Sequence, residues 1–73
     1  MVVKRGLSNR ELDVLRRAAE GMHHAVIAES LGLSLSTVRA NLYNARRRLN
    51  IPVGASITAL VAEARRRGIL EGV

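Results

Sequence analysis

Two short apolar-periodic segments that meet at a glycine place the strongest constraint on what this chain can fold into. The stretch reads Ile27-Ala28-x-x-Leu31-Gly32-Leu33-Ser34-x-x-Thr37-Val38-Arg39. Before the glycine, Ile27, Ala28 and Leu31 share one face of a helix expected over about residues 24–31. After it, Ser34 is a natural N-cap, and Leu33 and Val38 stand at the staple positions of a following helix. Helices joined by so short a turn must approach closely. Gly32 can take the left-handed conformation that ends the first helix, and Ala28 is small enough to let the second pack against it. Both are requirements of a helix-turn-helix, which presents the N-terminal half of its second helix to a DNA major groove. An ordinary helical hairpin shares the spacing, so a second signal is needed.

Charge supplies that signal. The chain has 73 residues, with twelve basic side chains against six acidic and a formal net charge of +6. Eleven of the twelve are arginine, and no acidic residue falls between Glu29 and Glu63, where Arg39, Arg46, Arg47 and Arg48 lie. A one-signed stretch of this kind attracts polyanions, and the arginine fork matches phosphate and guanine edges. The alternative is a solvated helix face.

The remaining elements read as helical. Ser8 and Glu11 have capping-box spacing, Leu7 and Leu12 occupy staple positions, and Gly21 is a stop, which predicts a helix over about residues 9–20. The helix after Ser34 carries Val38, Leu42, Ala45 and Leu49 on one stripe, expected to face the core. Its opposite stripe is Ser36, Arg39, Ala40, Tyr43 and Arg47. Pro52 and Gly54 break the chain after Leu49, and a last helix is expected from about Ser56 to Arg67, stopping at Gly68. Ile57, Leu60, Val61 and Ala64 form its apolar stripe, while Thr58, Ala59 and Ala62 form a small-residue surface. No strand is expected. The reading is an all-α, four-helix, single domain over residues 1–73, its core at about 7–70. A domain of this size buries only about 60% of its unfolded surface. Here the core must be aliphatic, since Phe, Trp and Cys are absent.

The order of these motifs resembles a known family. Leu7-Ser8-x-Arg10-Glu11-x-x-Val14-Leu15 is similar to the opening of LuxR-type (FixJ/GerE-like) DNA-binding domains. Gly21, Ile27-Ala28, Leu31, Leu33-Ser34, Thr37-Val38-Arg39 and Arg48-Leu49 follow in the family's order, and the length resembles stand-alone GerE-like members. The resemblance implies a four-helix fold with its third helix in the major groove of double-stranded DNA and a homodimer formed through the fourth. By position it implies base contacts from Arg39, Ala40 and Tyr43 and a backbone contact from Thr37; Ser36, Arg46 and Arg47 are further backbone candidates. Thr58, Ala59 and Ala62 are the candidate dimer surface. The motif Thr37-Val38-Arg39-x-x-Leu42-x-x-Ala45-Arg46 also resembles region 4 of sigma factors, which works attached to RNA polymerase. The helix after Pro52 favours the LuxR-type reading.

Other function classes find less support. His23-His24 lack a third ligand, and adjacent helical residues diverge by about 100°, so no metal is expected. No His and carboxylate stand ready to activate Ser8, Ser34 or Ser36, and no phosphate loop is present, so neither an enzyme nor a cofactor is expected. No apolar run approaches the roughly 20 residues that cross a bilayer. Met1-Val2-Val3-Lys4-Arg5 lacks the order of a signal peptide, so the protein is expected to be cytoplasmic. Arg65-Arg66-Arg67 is expected to complement the negative end of the last helix, with a second phosphate contact as the alternative. A third class is an adaptor whose small-residue face binds a regulator or polymerase.

Overall fold

The computed structural model describes residues 3, 4, 6–52 and 54–70. Met1, Val2 and Arg5, part of the start read above, lie outside the described residues. In chain order the elements are β1 (Val3–Lys4), β2 (Leu7–Ser8), α1 (Asn9–Ala19), α2 (His24–Leu31), α3 (Leu35–Arg48) and α4 (Ile57–Arg66).

Local chemistry explains where each helix starts. The Ser8 hydroxyl accepts from the Glu11 N–H at 3.1 Å while the Glu11 carboxylate accepts from the Ser8 N–H at 3.0 Å, completing the capping box of α1. Ser34 and Ser56 cap α3 and α4 in the same N3 geometry, each accepting at 3.1 Å. For α2, where the sequence offers no Ser, Thr or Asp, His23 is the cap: its Nδ1 accepts from the Ala25 N–H at 3.2 Å.

Helix ends are as specific. Gly32 sits at φ 68°, and the Leu33 N–H bonds back to the Ala28 carbonyl at 2.9 Å, which turns the chain directly into the cap of α3. α3 ends at Arg48 with Leu49 as its C-cap, in line with a break after Leu49, but the residue that turns the chain was not expected. Asn50, at φ 58°, stops it before Pro52 and Gly54 are reached, with the Ile51 N–H returning to the Arg46 carbonyl at 2.8 Å. Asparagine enters this conformation more readily than other residues with a Cβ, because its short polar side chain can bond locally.

The strands were not expected. β1 and β2 pair antiparallel, Val3 opposite Ser8 and Lys4 opposite Leu7. Two residues per strand give no alternation to detect, and the architecture remains a four-helix, all-α domain.

The core is aliphatic. Leu7, Val14, Leu15, Ile27, Val38, Leu42, Ala45, Leu49, Leu60 and Ala64 are at most 1% exposed, and Ala28 is buried at the α2–α3 crossing. Ile69 and Leu70, beyond the expected stop at Gly68, are also buried and belong to the same core cluster. Ile57, on the predicted apolar stripe of α4, is only half-buried. Full burial of a Leu, Ile or Val side chain contributes about 1.5–3 kcal/mol. α1 packs against α2, α3 and α4, and α2 packs on α3, so the turn-linked pair is braced from one side and the far side of α3 is left to solvent.

Candidate nucleic-acid interface

The periodicity of α3 divides it into two stripes. Val38, Leu42, Ala45 and Leu49 are buried, whereas Ser36, Arg39, Ala40, Tyr43 and Arg47 are all exposed. Tyr43 lies outside the core, 44% exposed, with the Arg47 guanidinium carbon 6.0 Å from its ring centroid. A cation over the ring face at that range is attracted to it, so the two side chains support each other on the surface. Val26 on α2 and Leu35 at the start of α3 are likewise exposed, so the described residues place their large exposed apolar side chains on the α2–α3 unit. Nothing in the sequence pattern singled out Val26 or Leu35.

At the N-terminus of α3, hydroxyls crowd together. Ser34 Oγ is 2.8 Å from Thr37 Oγ1 and 3.1 Å from Ser36 Oγ. Ser36 and Thr37 are exposed, beside the free N–H groups of the first turn, an arrangement that suits a phosphate oxygen. Asn41 turns inward along the helix instead, donating to the Thr37 carbonyl at 2.8 Å.

The arginines of the acid-free stretch separate into two kinds. Arg39 and Arg46 have no ion-pair or hydrogen-bond partner among the described residues, and Arg47 has only the Tyr43 ring. Arg46 is half-buried, and its Nε is buried without a hydrogen-bond partner among the described residues. Arg48, by contrast, is tied into the fold: Nε lies 3.2 Å from Glu11 Oε1, and Nη1 donates to the Gly6 carbonyl at 3.0 Å. A spacing of this length along the chain leaves no local signal for such a pair.

Thr58, Ala59 and Ala62 are exposed on α4. Thr58 and Ala62 join Ala18 and Ala19 of α1 in lining a shallow groove between the two helices. Arg66 and Arg67 both bond the Glu63 carboxylate, the latter from Nε at 2.6 Å. Those hydrogen bonds, from Arg66 first and then Arg67, hold the Glu63 carboxyl down at about 2. Their charge is therefore largely spent within α4, and Arg65 is the exposed member of the run without a described partner.

Among the described residues, no three His, Cys, Asp or Glu side chains gather as metal ligands would, and no helix is long and apolar enough to cross a membrane.

Comparison with known proteins matches residues 5–62 to the family described as bacterial regulatory proteins, luxR family. Over 59 residues the chain is 37% identical to the nitrate/nitrite response regulator protein NarP of Escherichia coli (strain K12). That match covers 81% of this chain and 27% of the relative, so the chain spans about a quarter of the length of the curated protein it matches.

Proposed function

The chain belongs to the luxR family of bacterial regulatory proteins, and from that premise we propose that it is a sequence-specific, double-stranded DNA-binding transcription regulator whose α3 enters the major groove. The observation that carries this reading is the division of α3: one stripe fully buried, the other exposed and bearing cations that no carboxylate among the described residues neutralises.

In this reading Arg46 and Arg47 engage phosphates, and Ser36 and Thr37 fix the register of α3 through the backbone at its first turn. Arg39 offers its fork to the N7 and O6 edge of a guanine. Ala40 and the Tyr43 ring present apolar surface to a thymine methyl, and the Tyr43 hydroxyl reaches outward to the backbone. The small residues Thr58, Ala59 and Ala62 permit a close two-fold approach of α4 from a second copy. Two α3 helices related by that axis would meet half-sites about 34 Å apart, one turn of DNA.

Selection of bound sites from a random duplex library tests the proposal. The expected outcome is enrichment of one motif arranged as an inverted repeat, with affinity that falls steeply as salt rises. An adaptor that works by binding another protein would enrich no motif and show no salt slope.

A further inference from the structure

Asn44, Arg47 and Arg48 line an open depression of about 240 Å³ on the last two turns of α3. Each of the three side chains is a hydrogen-bond donor, and two of them are cations. They differ in what they have left to give. Arg48 is committed to the Glu11 carboxylate through Nε and to the Gly6 carbonyl through Nη1. Arg47 has only the Tyr43 ring, which leaves its charge and its N–H groups unspent. The half-buried Asn44 amide makes no hydrogen bond among the described residues. Asn41, one turn earlier, donates to the Thr37 carbonyl at 2.8 Å; Asn44 stands in the same relation to the Ala40 carbonyl and does not use it. No described carboxylate lines the depression. The one that Arg48 touches, Glu11, is only 5% exposed and is already bonded to Arg48 and to the Ser8 N–H.

The depression also has a fixed place beside the exposed stripe. At about 100° per residue, Asn44 lies about 80° to one side of Ser36 and Arg46 about 80° to the other. Arg39, Ala40, Tyr43 and Arg47 fall between them. A helix laid in a major groove about 12 Å wide meets a phosphate strand on each flank. Arg46 therefore stands toward one strand and Asn44 toward the other.

We propose that Asn44, with Arg47 beside it in this depression, holds a phosphate of the DNA strand opposite the one Arg46 meets, so that α3 is gripped from both walls of the groove. This rests on the DNA-binding reading above. Arg47 supplies the charge, and the Asn44 amide supplies a donor whose direction is set by the helix. Arg48, neutralised by Glu11, forms the far wall and adds no net charge. The contact is to the backbone, so it positions α3 without reading sequence.

The test compares wild type and Asn44→Ala by fluorescence anisotropy on the selected and random duplexes at two salt concentrations. Asn44→Ala is expected to melt as wild type does, because its amide bonds nothing in the described fold. Its affinity should fall about three- to tenfold, as for one lost hydrogen bond, and equally on both duplexes. The salt slope should stay the same, because a neutral side chain releases no counterion. Replacing phosphates one at a time by uncharged methylphosphonates then locates the contact. Within a half-site, one strand should hold the phosphate whose replacement weakens wild type more than Asn44→Ala. The other strand should hold the phosphate coupled in the same way to Arg46. Unchanged affinity in Asn44→Ala overturns this inference alone, as does a loss confined to the selected duplex or coupling of both residues to one strand. Inorganic phosphate, added at constant ionic strength, distinguishes a free anion as the occupant. If it shifts the Asn44 amide NMR signals while Asn44→Ala binds DNA as wild type does, the depression takes a free phosphate and the inference fails. Absence of DNA binding by wild type overturns the DNA-binding reading and this inference with it.

Discussion

Arg48 Nε lies 3.2 Å from Glu11 Oε1, and the glutamate side chain is only 5% exposed. The same carboxylate closes the capping box with Ser8, and the same guanidinium holds the Gly6 carbonyl. One ion pair thus ties the last turn of α3 to the hairpin and the first turn of α1.

Two neighbouring arginines should therefore behave differently. Arg48→Ala leaves a buried carboxylate short of its cation, a loss of about 1–3 kcal/mol that the half-exposed guanidinium brings toward the lower end. A melting temperature lowered by several degrees is expected, with the salt slope of DNA binding unchanged. Arg47→Ala should leave melting unchanged and reduce the salt slope by about 1. Thermal melts and affinities at two salt concentrations check both, and an exchange of the two results would contradict the division of arginines.

Gly32→Ala should destabilise by about 1–2 kcal/mol, because an alanine at positive φ brings its Cβ close to the following carbonyl. The loss is conformational only, since a Cβ added there meets nothing within 4 Å. Gly32→Asn should lose less, as asparagine enters the left-handed region more readily. Denaturant midpoints order the three proteins as wild type, Asn, Ala; equal midpoints would show that the turn is not strained.

Tyr43→Ala should remain folded with melting nearly unchanged, because the ring is 44% exposed and outside the core. Its affinity for the selected site should fall, and wild-type tyrosine emission should change on adding that duplex. A variant unfolded at room temperature would mean that Tyr43 contributes core packing of several kcal/mol.

The proposed dimer predicts two protomers on a palindromic duplex at saturation. Ala62 is exposed, so Ala62→Glu should fold normally yet lose the second protomer or bind it more weakly, with half-site affinity retained. Sedimentation of both proteins with duplex decides it. A wild-type stoichiometry of one protein per palindrome would remove α4 from the account.

What the sequence revealed was local. Ser8, Ser34 and Ser56 announce helix starts, Gly21 and Gly32 announce ends, and the i, i+4, i+7 stripe of Val38, Leu42 and Ala45 separates the two faces of α3. What it hid was either unusual or remote. A histidine cap and an asparagine stop depart from the commonest choices at those positions. The Glu11–Arg48 pair and the packing of Ile69 and Leu70 both depend on tertiary proximity that no period encodes.

If the exposed stripe of α3 distinguishes one DNA sequence from another, Arg39 is the residue on which that discrimination turns. The direct measurement is the affinity of wild type and Arg39→Ala for the selected site and for a random duplex of equal length, at one salt concentration. A loss of about 1–3 kcal/mol is expected on the selected site, with a much smaller change on random DNA. An equal loss on both would make Arg39 a phosphate contact and contradict base reading by α3.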